Sequence, residues 1–182
     1  MSYIYGDINA ELFAIRALAL VYRPVQRADQ RANLLTILRS FANSSTGIDS
    51  LSYQNQMIAA DAYNLLGDSK TATAVFNNAI NSIISLSPSV QNRRSWIMTA
   101  GEALAAGSAI SPDNSKLLDL SQKLIAQRTG TGWGDTQTTA SAVRGLAALI
   151  KRHDLKNDVR VTLMGDGKQL ETINASAARP AS

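Results

Sequence analysis

Apolar residues recur at intervals of three and four along most of the chain, the period of an amphipathic helix, and the texture changes only after about residue 155. Residues 7–22, rich in Ala and Leu, predict a first helix with Asp7 as its N-cap, and Arg23-Pro24 breaks it. A second helix is expected over about 25–42, with Leu34, Leu35, Ile37, Leu38 and Phe41 as its apolar stripe, before an Asn-Ser-Ser-Thr-Gly loop at 43–47. Ser50 opens a third, carrying Met57, Ile58, Ala60, Leu65 and Leu66, with Gly67 as its stop. Asp68 caps a fourth over 69–86, ended by Pro88, and a fifth runs from about 91 to 106 and stops at Gly107. Ser111-Pro112 reads as the N-cap and first residue of a sixth helix, about 112–128. A glycine turn at 130–134 leads to Asp135, cap of a seventh over 136–152.

After these helices the pattern alternates: Asp158–Met164, a Gly165-Asp166-Gly167 loop and a second short run to Ile173 predict a β-hairpin. The small, polar residues 174–182 read as a disordered tail. The expected organisation is a helical domain over 1–155, a β-hairpin over 156–173 and the tail over 174–182.

The helices repeat. Ala14-Ile15-Arg16-Ala17-Leu18-Ala19 aligns with Ala142-Val143-Arg144-Gly145-Leu146-Ala147 at an offset of 128. Equivalent positions centred on Leu18, Leu65, Leu104 and Leu146 give spacings of 47, 39 and 42. Two-helix units in the low forties fit these spacings, whereas the 34-residue tetratricopeptide period does not. A single helical hairpin cannot bury its own apolar faces, so such units must stack. The fold class expected is all-α, an array of about three and a half helical hairpins with a short C-terminal β-hairpin.

Composition removes several chemistries. The 182 residues include no cysteine, which excludes disulfides, thiolate zinc sites, Fe–S clusters and a cysteine nucleophile. A single histidine, His153, leaves no His-based metal site or Ser-His pair and reads as a helix-end cation. The net charge of +4 is scattered, with only Arg93-Arg94 and Lys151-Arg152 adjacent, so no nucleic-acid stripe forms. No apolar run reaches the roughly 20 residues of a membrane span, and the N-terminal residues lack the basic-then-apolar pattern of an export signal. Arg23, Arg27 and Arg31 share a face at four-residue spacing and read as solvated. Glu11 and Glu102 fall at similar depth on two helices, with nothing to force them into one catalytic cavity. Tyr53, Tyr63 and Trp96 read as core, and Asn43 and Asn174 match the N-glycosylation pattern.

The most informative segment is Gly132-Trp133-Gly134-Asp135-Thr136-Gln137-Thr138-Thr139-Ala140-Ser141-Ala142-Val143-Arg144-Gly145-Leu146. Read from its residues, it is a glycine turn that sets Trp133 as an anchor before a helix capped by Asp135, with Ala140, Ala142 and Gly145 small enough for close packing. The run resembles the end of the thioester-containing domain of bacterial-type α-macroglobulins, where a Trp-Gly-Ser/Asp-Thr-Gln-x-Thr-Ala sequence opens an inner helix of an α/α-toroid. Residues 7–19 are similar to that family's earlier inner helices, and the hairpin fits the β-sandwich that follows its toroid. The motif residues carried over, in structural roles, are Gly132, Trp133, Asp135, Thr136, Gln137, Thr138 and Ala140.

The resemblance implies a protease-trapping role, a periplasmic or extracellular location, and neighbouring β-sandwich domains and a protease as partners. It departs from the family in two ways. The Cys-x-Glu-Gln thioester is absent, and fewer hairpins are present, so the chain reads as the later part of a longer domain. No catalytic residue, cofactor or metal is expected. The alternatives are a free-standing helical-repeat module that binds protein or peptide, and a terpenoid-cyclase-like enzyme. Gln127-Arg-Thr-Gly130-Thr-Gly-Trp133 nearly matches the cyclase turn, but no acidic cluster accompanies it.

Overall fold

The computed structural model describes residues 8–21, 28–42, 47–152, 159–165 and 168–175. Among them are seven helices: α1 (Ile8–Val21), α2 (Ala28–Ala42), α3 (Tyr53–Leu65), α4 (Ser69–Ser85), α5 (Arg93–Ile110), α6 (Lys116–Ala126) and α7 (Thr136–Arg152). Two strands follow, β1 (Val159–Gly165) and β2 (Lys168–Ala175). Asp7, proposed as the first cap, lies outside the described residues, as do Arg23, Arg27, Asn43, His153 and residues 176–182.

The helices form two layers. The odd-numbered ones pack in sequence order, α1 on α3, α3 on α5 and α5 on α7, while α2, α4 and α6 flank them. The core between the layers is aliphatic, with Leu12, Leu38, Met57, Ile58, Phe76, Ile80, Ile97, Leu104, Leu117 and Leu120 fully buried. On α2 the expected stripe divides: Leu34 and Leu38 are buried, Leu35 and Phe41 pack at the margin, and Ile37 is exposed.

Local chemistry sets most element ends. Gly67 has φ +91°, and the Asp68 amide donates to Tyr63 O at 2.9 Å, closing the last turn of α3. Asp68 caps α4 through the Thr71 amide. Three ends differ from the sequence reading. Ser52, not Ser50, caps α3, accepting from the Asn55 amide, because Ile48–Ser50 form a 3₁₀ turn that uses the Ser50 hydroxyl to bond Gly47 O.

α5 does not stop at Gly107 but continues to Ile110. A side chain at Gly107 would meet Leu117 at 2.5 Å and Phe76 at 2.8 Å, so this glycine is there for packing. Ser111 is then the C-cap of α5, since the residue before a proline leaves the helical region, and Pro112 ends α5 instead of opening α6. α6 starts at Lys116, whose amide donates to the Asn114 side chain.

α5 and α7 approach closest. A Cβ at Gly101 would stand 2.4 Å from Ser141 O, and one at Gly145 would stand 2.5 Å from Gly101 O. Ser141 Oγ also donates to Met98 O at 3.1 Å across the same contact. Of the small residues expected to permit this, Ala142 and Gly145 are buried and Ala140 is exposed. Gly101→Ala should therefore invert the usual helix trend. The substitution gains up to roughly 1 kcal/mol of propensity in isolation, yet here it should lower unfolding free energy by about 1–3 kcal/mol, as overpacking does. Urea denaturation of the variant checks the sign.

Candidate functional site

The motif segment is built outward from its turn. Thr129 and Gly132 bond each other through both backbone pairs, with Gly130 at φ +57° between them. The Trp133 ring is then laid on α6, where its Nε1 donates to Leu124 O at 2.6 Å, and its backbone amide donates to Thr139 Oγ1. Trp96 repeats the device one hairpin earlier, donating from Nε1 to Ile83 O in the last turn of α4. Each indole takes a carbonyl near the end of the preceding outer helix, where helical partners run out.

Asp135 caps α7 as expected. One carboxylate oxygen accepts from the Thr138 amide at 2.8 Å and hydroxyl at 2.7 Å; the other accepts from Arg94 Nε of α5 at 2.7 Å. The Thr138 amide, with Arg94 and the Thr138 hydroxyl, holds the Asp135 carboxyl well below the usual carboxylate range. Arg94 also donates to Gln137 Oε1 at 2.9 Å, and Arg93 bonds Gln127 O and Thr129 Oγ1. Of the remaining motif residues, Gly132 leaves room for Thr139, Thr138 is buried, and Thr136 and Ala140 are exposed. The segment's polar groups are largely spent on holding α7 to α5 and on closing its own turn.

The second cluster was missed in the sequence. Glu102 on α5 accepts from Arg16 of α1 at 2.7 Å on one oxygen and pairs with Arg144 of α7 on the other. Arg16 and Glu102 are nearly enclosed, with side chains 12% and 8% exposed, whereas Arg144 is 42% exposed. Arg16 also lies 5.0 Å from the Phe13 ring centre. A signal for this was present: Arg16, Glu102 and Arg144 each stand two residues before the reference leucine of their repeat. Glu11 is exposed and plays no part. Arg31, expected on a solvated face, instead donates to Leu65 O at the end of α3.

Among the described residues, clefts open on the surface. One, about 320 Å³, lies between the start of α3 and the start of α5, with Asp49, Tyr53, Gln54, Asn92 and Trp96 in its wall. Tyr53, expected in the core, is exposed here, whereas Tyr63 is buried and donates to Leu38 O, and Trp96 is buried. Another, about 500 Å³ and more open, runs beside the motif turn along Thr131, Asp135, Thr136 and Val143. Among the described residues no three His, Cys, Asp or Glu side chains converge as metal ligands, and no helix is long and apolar enough to cross a membrane. No protein-family model matches the chain, and no curated protein or solved structure gives a significant match.

Two predictions follow from these contacts. Glu102→Gln leaves the enclosed Arg16 without its counter-charge and should lower stability by about 3–5 kcal/mol, whereas Arg144→Ala at the open end should change it by about 1 kcal/mol or less. Equilibrium unfolding of both variants tests the asymmetry. For Asp135, a folded pKa below the unfolded one means its stabilisation is complete above the unfolded carboxylate pKa and is lost as pH falls through the folded value. Asp135→Asn should therefore be less stable than the parent at neutral pH, with the gap closing under acid. Thermal melts across that range read it directly.

Proposed function

We propose that this chain is a non-catalytic helical scaffold segment of an α-macroglobulin-like protease-trapping inhibitor, working in the periplasm or outside the cell. The observation that carries the reading is the use made of the Trp-Gly-Asp-Thr-Gln run. Trp133, Asp135, Gln137 and Thr138 bind neighbouring helices or their own turn, so the motif acts as architecture and supplies no reacting group. Inner helices stacked in sequence order, flanked by outer ones, are what an α/α-toroid segment requires.

The hairpin reading of the C-terminal part is supported by β1 and β2 running antiparallel, with Val159 opposite Ala175 and a register shift between Leu163 and Met164. On this reading the hairpin opens a β-sandwich domain, and the partners of the helical body are such domains and a protease. A chain without cysteine forms no thioester, so its part in trapping is steric and conformational.

A second reading, a free-standing helical-repeat module for protein or peptide, is favoured by the cleft at Tyr53 and Trp96, which an extended segment could enter. The size and location of the native product separate the two. In an immunoblot of fractionated source cells, the first reading expects a band far above 19.5 kDa in the periplasmic or extracellular fraction. A band at the chain's own mass overturns it and leaves the second.

A further inference from the structure

We infer that the cleft between the starts of α3 and α5 is a binding site for an alkylammonium group, carried by a free amine or by a lysine side chain. The inference rests on the reading of this cleft as a site that admits a ligand, names the group it receives, and takes nothing from the family resemblance. Three side chains form the buried part of the wall: Gln56, Trp96 and Thr99, at 4%, 3% and 7% exposed. Each has already committed its hydrogens. Gln56 Nε2 donates to Asp49 O at 3.2 Å and to Leu51 O at 2.9 Å. Those two carbonyls fix the orientation of the amide, since only its NH₂ group can donate. Thr99 Oγ1 donates to Ser95 O at 2.9 Å, and the Trp96 indole to Ile83 O at 3.3 Å. What this wall can still offer a ligand is the Gln56 carbonyl oxygen, the lone pairs of Thr99 and the π-face of an indole. A ligand seated against it must donate.

Charge points the same way. Among the described residues of the wall, Asp49 alone is charged at neutral pH. No lysine or arginine lines the cleft, although two arginines begin α5. Arg93 is committed to Gln127 O and Thr129 Oγ1, and Arg94 to Asp135 and Gln137, all on the side of α6 and α7. A carboxylate, acceptor oxygens and the rings of Tyr53 and Trp96 are surroundings that favour a cation. The helix dipoles at the starts of α3 and α5 act in the opposite sense, which makes a carboxylate the competitor to try.

The repeat explains why space is left here. At the 39-residue spacing that separates Leu65 from Leu104, Arg94 of α5 corresponds to Asn55 of α3. Between α5 and α7 the arginine spans the junction and is received by a carboxylate, Asp135, and an amide carbonyl, Gln137 Oε1. Between α3 and α5 the shorter, buried asparagine stands in its place, and Ser95 stands where Gln137 does. The cleft of about 320 Å³ is what remains, at the low end of ligand-cleft volumes. It offers a carboxylate and an amide carbonyl again, from Asp49 and Gln56. The ligand thus supplies the cation that the next unit supplies from within the chain.

The test is proton–nitrogen NMR of the whole chain, whose two tryptophans give two indole signals, Trp96 in the cleft wall and Trp133 against α6. Butylamine and the tripeptide acetyl-Ala-Lys-Ala-amide are titrated separately at low salt. At least one should move the Trp96 signal and leave that of Trp133 in place, with a Kd below about 1 mM. Tighter binding of butylamine names a free amine as the source, and tighter binding of the tripeptide names a lysine side chain. Asp49→Asn, at an exposed position whose backbone carbonyl still holds Gln56, should weaken binding about threefold. Thr99→Val removes a buried acceptor and should weaken it about tenfold. Circular dichroism checks folding, and Thr99→Ala replaces the valine variant if helicity falls. Equal binding of the tripeptide with its lysine acetylated would overturn the ammonium inference and leave a peptide cleft standing. Tighter binding of acetate, a Trp96 signal unmoved by either amine at ten times that Kd limit, or affinity indifferent to both substitutions would overturn it outright.

Discussion

The helical body depends on how closely other helices can reach α5. Two glycines on that helix set the distance. Gly101 admits the backbone of α7, and Gly107 admits Leu117 of α6 and Phe76 of α4 together. Glycine inside a helix lowers its intrinsic stability by roughly 1 kcal/mol relative to alanine, and α5 carries this at two positions. The compensation lies in packing: α5 contacts both inner neighbours and both flanking outer helices. Trp96, Leu104, Ile97 and Glu102 then occupy a helix surrounded on most sides, which is why so few α5 residues are exposed.

Around that hub, polar groups decide orientation. A buried ion pair is weak evidence of net stability, because desolvation offsets much of the attraction. Its geometric consequence is firmer. Glu102 has two oxygens, and each is assigned to a different helix, α1 through Arg16 and α7 through Arg144. Rotation of α1 about its axis would strand the enclosed Arg16, whereas Arg144 on α7 reaches water. Arg94 also ties the start of α5 to the cap of α7, so two ion pairs join these helices. Glu102–Arg144 lies beside the glycine contact with its arginine partly open to water, and Arg94–Asp135 is exposed at the helix starts.

Much of the helical architecture was readable because it follows local rules. Asp68 and Asp135 cap, Gly67 stops a helix at positive φ, and the apolar stripes lead to the core. The failures share a cause. Gly107 and Gly67 look alike in one dimension, yet only Gly67 needs a left-handed backbone, whereas Gly107 answers to residues on α4 and α6. Ser111-Pro112 satisfies the rule for a helix start and serves as a helix end, since the same restriction on the residue before proline suits both. Tyr53 and Tyr63 share a helix, and only packing separates the cleft wall from the core.

The charge cluster marks a different limit. Arg16 and Glu102 are 86 residues apart, and no local rule connects them. The repeat does. In a row of equivalent helices, one repeat position comes to the same level and side in each, so residues there are neighbours in space whatever their separation in sequence. Arginine, tyrosine, glutamate and arginine occupy that position in α1, α3, α5 and α7. Tyr63 turns its hydroxyl to α2 and contributes no charge, which leaves one carboxylate to two guanidiniums. An enclosed arginine needs a counter-charge, and Glu102 is the residue of opposite sign at that level. Opposite charges at one position of a helical repeat therefore carry long-range information, even where each charge alone reads as a solvated side chain.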